Sequence, residues 1–164
     1  MRNIEKAEKE VAQGNLWRAK EILQGTLSNV DYSCELFEKY GVVLLMMGDL
    51  PEAGKYLFLS GIRKQEYLQA ISVFLRKHQS NQHAFINTLP RKAKLATLTE
   101  YPDTVTRELR ELGFPEVLRN KEGQSILPPK AGGDAVAWVT CLVIILLVVG
   151  LLILGVIKLV ELIS

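Results

Sequence analysis

Gly14-Asn15-Leu16-Trp17-Arg18-Ala19 recurs further along the chain as Gly48-Asp49-Leu50-Pro51-Glu52-Ala53. Glycine, leucine and alanine are identical, Asn15 pairs with Asp49, and Leu23 stands opposite Leu57. Each fragment reads as a turn between two helices. A glycine after a helix supplies a left-handed cap at no steric cost. The Asn or Asp behind it can cap the next helix through its side-chain oxygen. Pro51 stands in a helix's first turn, where proline is tolerated. Ala19 and Ala53 allow helices to approach closely, and Ala7 and Gly41 offer a second pair of small residues at the same offset. Between the two turns, Leu36, Phe37, Tyr40, Val43, Leu44 and Met47 follow the spacing of a buried helical face. Val42, Leu45 and Met46 make the other side apolar too, as the middle of a helical stack requires.

The offset from Gly14 to Gly48, about 34 residues, is the period of the tetratricopeptide repeat, a helix–turn–helix unit. Both units resemble it. Phe37 stands at the family's aromatic site and Tyr40 at the large apolar site beside the small Gly41. Gly48-Asp49 forms the turn and Ala53 the crossing alanine. In the first unit Ala7, Gly14-Asn15 and Ala19 take the same places. The chain departs from the pattern at Asn3 and Lys6, which are polar where the first helix is apolar. Ser60 replaces a small residue, and neither unit has the terminal proline. A third, divergent pair follows, with an apolar stripe of Tyr67, Leu68, Ile71, Phe74 and Leu75. A turn at Ser80-Asn81 then leads to a short helix from His83-Ala84-Phe85-Ile86. Over roughly the stretch 1–120 the chain resembles a small bacterial family of tetratricopeptide-like proteins with a C-terminal membrane anchor. That resemblance implies an all-α stack of helical hairpins and no particular activity.

Beyond the repeats, Arg91 to Leu98 (RKAKLATL) reads as a basic amphipathic helix, broken by Tyr101-Pro102-Asp103. Asp103 is expected to cap a helix whose apolar face is Val105, Leu109 and Leu112. Gly113 stops it, and Phe114 tucks back onto the stack. Residues 120–134, NKEGQSILPPKAGGD, have the composition of a linker. A flexible chain of that length would reach roughly 20 Å on average.

Much of the chain's hydrophobicity lies at its end. Of 164 residues 48% are apolar and the net charge is only +2. Residues 135–157, AVAWVTCLVIILLVVGLLILGVI, carry no charge and exceed the ~18 apolar residues of a membrane span. As a helix the run would measure about 34 Å. Trp138 suits the first interface and Lys158 can snorkel to the second. Arg119, Lys121 and Lys130 stand upstream of the run against Lys158 downstream, so the positive-inside rule places the N-terminal part in the cytoplasm. The opening MRNIEKAEKEVAQG lacks the apolar core of a signal peptide. The expected organisation is a helical-repeat domain over 1–119, a linker over 120–134, a single-pass transmembrane helix over 135–157 and a tail over 158–164. Such a protein is tail-anchored. Cys34 is then a cytosolic thiol and Cys141 lies within the membrane, so no disulfide is expected. Gly133, Ala137 and Cys141 recur at every fourth position and form a candidate face for a homodimer of spans.

Charge is uneven along the soluble part. Residues 61–99 are strongly basic, with a single acidic residue among them, whereas 1–60 and 100–134 are each slightly acidic. Within this block Arg91, Lys92 and Lys94 are candidates for contact with an anionic membrane surface. An acidic partner peptide, or no partner, fits the charge equally. Nucleic acid is disfavoured because no aromatic platform interleaves with the charges.

No catalytic constellation accompanies these features. His78 and His83 lack the spacing of a zinc motif, and no phosphate-binding loop or nucleophile elbow occurs. Cys34 is expected as a small core residue. The sequence therefore reads as a non-enzyme without cofactor or metal. The expected function is a membrane-anchored adaptor that holds a protein or peptide partner at the cytoplasmic face. The alternative is an oligomeric membrane effector or immunity-type regulator, whose soluble domain senses and whose span acts.

Overall fold

The structure, a computed structural model, describes residues 2–78, 81–119 and Leu127. Its helices are α1 (Arg2–Ala12), α2 (Leu16–Asn29), α3 (Cys34–Met46), α4 (Leu50–Ser60), α5 (Gln65–His78), α6 (Gln82–Thr88) and α7 (Asp103–Glu111). Two single-turn 3₁₀ helices, Arg91–Ala93 and Leu98–Glu100, lie between α6 and α7. Among the described residues there is no strand, and an isolated antiparallel bridge pairs Thr97 with Val117. None of the described helices is long and apolar enough to cross a membrane. The run 135–157, the Gly133/Ala137/Cys141 face and the linker residues other than Leu127 lie outside the described residues.

The two turns use the same hydrogen bonds. Gly14 N–H donates to Val11 O (2.9 Å) and Asn15 N–H to Glu10 O (2.8 Å). Gly48 N–H donates to Leu45 O and Asp49 N–H to Leu44 O, both at 3.0 Å. This paired closure needs a left-handed residue at the helix end, and Gly14 and Gly48 adopt φ of 78° and 81°. The Asp49 carboxylate then accepts from Glu52 N–H (3.2 Å), as expected of a cap. Asn15 does not cap in this way. Its side-chain amide instead donates to the Glu10 carboxylate (3.0 Å), which draws it back toward α1.

Successive helices pack in chain order, α1 on α2, α2 on α3, α3 on α4 and α4 on α5. Small residues decide how closely they approach. Ala7, Ala19 and Ala53 are fully buried. A methyl group on Gly41 would lie 2.7 Å from Leu57 Cγ. At Gly54 it would lie 2.0 Å from Ala70 O, so the α4–α5 crossing has no room for a side chain. On α3, Leu36, Phe37, Tyr40, Val43 and Leu44 are buried as the spacing predicts. Its second apolar side is covered less than expected, with Val42 and Leu45 half-buried and Met46 53% exposed. Leu68 of the α5 stripe also faces outward, whereas Tyr67, Ile71 and Phe74 are buried.

The segment after α5 closes the core differently. Phe85 of α6 stacks among Phe58, Phe74 and Phe114, with ring centroids 5.2–5.6 Å apart. The expected basic helix over 91–98 does not form. After one turn, the Tyr101 hydroxyl donates to Ala93 O (2.6 Å) and accepts from Leu95 N–H (3.1 Å). Those backbone groups are thus satisfied without continuing a helix. Thr97 and Glu100 then close a reciprocal capping box. Asp103 is the first residue of α7 and not its cap, because Pro102 O accepts the bond from Thr106 N–H (2.9 Å). Gly113, at φ 79°, ends α7 with the same paired closure as the repeat turns. Leu127, within the stretch that reads as linker, is only 6% exposed and belongs to the core.

Candidate functional site

The basic block resolves into residues that hold the fold and residues that do not. Arg63 grips Glu108 of α7 through two bonds, at 2.7 and 3.0 Å, and also donates to the carbonyls of Leu57, Phe58 and Ile62. It thereby adds a donor to carbonyls at and just beyond the end of α4, a natural place for a guanidinium. Lys64 pairs with Glu38 (2.8 Å) and reaches the Tyr67 hydroxyl (3.1 Å). Arg76 and Lys77 sit in the last turn of α5, where positive charge complements the helix dipole.

Arg91 and Lys92 instead line a cleft of about 730 Å³, together with Gln24, Leu27 and Ser28 of α2, Tyr56 of α4, Pro90 and Arg119. None of the described lining residues is acidic. Lys92 pairs across the rim with Asp31 (2.7 Å), whose side chain is 92% exposed. Lys94 turns away toward Asn87 O (3.5 Å), and its place in the cleft is taken by Arg119. Arg119 is positioned by two backbone bonds, Leu118 N–H (2.8 Å) and Arg119 N–H (3.2 Å), both to Ala96 O. Burial, and then the charge of Arg119, holds the Lys94 ammonium below the ordinary lysine range. Among the described residues neither Arg91 nor Arg119 has an ion-pair partner.

Sequence reading missed Arg119 because it lies far along the chain from Lys94 and was weighed only as a flank of the apolar run. The Thr97–Val117 bridge is what brings the two stretches together.

A family model matches residues 1–161, taking in both the helical unit and the apolar run. The chain belongs to DUF6584, a family of unknown function. No curated protein and no solved structure matches it.

In this DUF6584 chain a second concavity lies between α1 and α3. It is an apolar pit of about 170 Å³, lined by Ile4, Ala7, Val11, Leu23, Val42 and Val43, with Glu8 and Lys39 at its edge. Glu8 and Lys39 form an ion pair across it (2.5 Å). The repeat residues thus divide by role. Ala7 lines the pit, whereas Gly14, Asn15, Gly48 and Asp49 build turns, and Ala19, Gly41 and Ala53 are buried at crossings.

Cys34 is a free thiol but not the core residue expected. It is the first residue of α3, behind the Ser33 cap, and is exposed. His78 packs against Phe74 at 5.2 Å, and burial, followed by Lys77 and Lys55, lowers its pKa. Among the described residues no group of three His, Cys, Asp or Glu side chains converges as a metal site.

Proposed function

We propose that this chain is a membrane-anchored helical-repeat adaptor. Its hairpins are of the tetratricopeptide type, its apolar run 135–157 anchors it, and its helical unit holds a protein or peptide partner at the cytoplasmic face. The helix boundaries support the repeat reading. Helices α1 and α3 end at Ala12 and Met46, and α2 and α4 begin at Leu16 and Leu50, both pairs keeping the Gly14-to-Gly48 offset. The third pair has drifted, since the same offset from Leu50 leads to Ala84, whereas α6 begins at Gln82.

The pit between α1 and α3 is the observation that carries the adaptor reading. Those are the first helices of successive hairpins, and their half-buried apolar side chains gather beside a charge pair. Such a surface suits an apolar anchor residue of a partner flanked by polar groups. The exposed Met46, on the same helix as Val42 and Val43, adds an adaptable apolar neighbour.

The test is a photo-reactive benzophenone side chain carried at position 42 of the full chain in its native membrane, with position 69 as an exposed control. An adduct from position 42 is expected, absent from position 69 and lost in Val11→Arg with the helix content unchanged. Equal adducts from both positions, or none from position 42, would overturn the reading.

A further inference from the structure

We propose that the cleft of Arg91, Lys92 and Arg119 docks the helical unit onto the anionic phospholipid headgroups of the membrane in which the chain is anchored. The proposal rests on the anchoring reading above and adds a specific face and a lipid chemistry to it.

Three observations converge on that occupant. The first is charge. Three cationic side chains line one cleft with no acidic residue among its described walls. Lys94 and Arg119 stand close enough for one charge to disfavour the other. Apart from the Lys92–Asp31 pair at the rim, no acidic side chain among the described residues pairs with these three. A phosphate diester would do so, and guanidinium groups match its geometry.

The second is shape. The cleft measures about 730 Å³, and Leu27 and Tyr56 give it an amphipathic wall. A tyrosine beside cations suits the headgroup level of a bilayer, where aromatic side chains with a polar tip collect.

The third is the length of chain beyond the core. With Leu127 buried, only residues 128–134 separate the core from the uncharged run that begins at Ala135. So short a stretch spans at most about 25 Å even when fully extended. It includes the consecutive Pro128 and Pro129. Arg119, a wall of the cleft, comes shortly before Leu127 in the chain. Anchored as proposed above, the core stands within that reach of the bilayer, and Arg119 is the cleft residue nearest the connecting stretch along the chain. An anionic surface attracts such residues over about a Debye length, ~8 Å at physiological ionic strength.

The experiment uses the full chain in nanodiscs of phosphatidylcholine, with or without phosphatidylglycerol. A donor fluorophore is placed on Val30→Cys, at the end of α2, in a Cys34→Ser, Cys141→Ser background, and a headgroup-labelled lipid is the acceptor. Energy transfer should rise when phosphatidylglycerol is present and fall back in high salt. It should be lost in an Arg91→Ala, Lys92→Ala, Arg119→Ala variant. An Arg76→Ala, Lys77→Ala variant removes two cations elsewhere and should keep the rise, which separates the cleft from net charge. Circular dichroism of both variants should match the parent. Transfer that ignores phosphatidylglycerol while the chain resides in the disc overturns docking alone and leaves the cleft to a protein partner. Equal loss in the two variants also overturns it. A chain that never enters the disc overturns anchoring and docking together.

Discussion

The hairpins from Arg2 to Ser60 and the segment from Asn81 to Arg119 both bury apolar side chains, but they are locked by different forces. In the hairpins, turns closed by the same backbone bonds and small residues let helices meet at short range. In the later segment, side chains take over the work of regular backbone bonding. Tyr101 bridges Ala93 and Leu95, the buried Thr106 hydroxyl bonds Leu98 O (2.6 Å), and Thr104 bonds Gly61 O (2.6 Å). Arg63 ties the α4 end to Glu108. The first region should therefore be sensitive to added volume and the second to lost polar partners.

The largest expected effect tests the volume side. Gly54→Ala would place a methyl group 2.0 Å from Ala70 O and 2.6 Å from its carbonyl carbon, neither of which can swing aside. The α4–α5 packing must part, at a cost of about 3 kcal/mol or more. Gly41→Ala meets mainly the Leu57 side chain, at 2.7 and 2.8 Å, and should cost about 1–3 kcal/mol. Gly25→Ala meets nothing within 4 Å and should gain up to about 1 kcal/mol from helix propensity. Urea midpoints of the three variants check this order. A Gly54→Ala protein as stable as the parent would show that α4 and α5 do not cross there.

The polar side is tested next by Arg63→Ala. It strips two charged bonds from Glu108 and the cover from the carbonyls near the end of α4. With both side chains of the pair largely buried, the expected loss is about 2 kcal/mol, read from the same denaturation curves. Arg63→Lys should recover less than half, because an ammonium cannot reproduce the two-pronged contact.

Tyr101→Phe is a smaller change, about 1–2 kcal/mol, since it removes one hydroxyl that serves two backbone groups. It also carries a pH signature. Burial pushes the Tyr101 hydroxyl up to about 12 from an ordinary 10. A group whose folded pKa is raised contributes stability below its unfolded value and loses it as pH climbs through the folded one. Stability should therefore fall between about pH 10 and pH 12. Burial also pushes Tyr32 and Tyr56 upward, so Tyr101→Phe should flatten part of that fall and not all of it. An unchanged alkaline profile in the variant would remove Tyr101 from the account.

The same contrast explains which parts of the molecule were legible in the sequence. Gly14 and Gly48 announce themselves because a left-handed helix end strongly favours glycine, and their repetition fixes the hairpin boundaries. Gly54 carries no repeat signal, because the matching position of the first unit is Lys20. A lone glycine inside a helix carries no pattern until α5 is seen to cross it. Residues 91–98 have helical periodicity, yet the competing bonds come from Tyr101, beyond the window in which that periodicity is read. Cys34 looked like a core residue by type, but at the first position of α3 it points away from the packed face. In the cleft, Arg91 and Lys92 were visible as a charged run. Arg119 required the Thr97–Val117 bridge, and the divergence of Lys94 required the Asn87 carbonyl. Periodic contacts are written locally, whereas these polar contacts are written only in the tertiary arrangement.

The proposal that this helical unit works at a membrane from its cytoplasmic side can be tested at a single native residue. Cys34, exposed and free, is a native reporter of it. In a Cys141→Ser full chain, membrane-impermeant maleimide should leave Cys34 unlabelled in intact cells and label it once the membrane is opened, with the protein remaining in the membrane pellet after alkaline extraction. Labelling of Cys34 from outside intact cells, or release of the chain into the supernatant, would contradict the account.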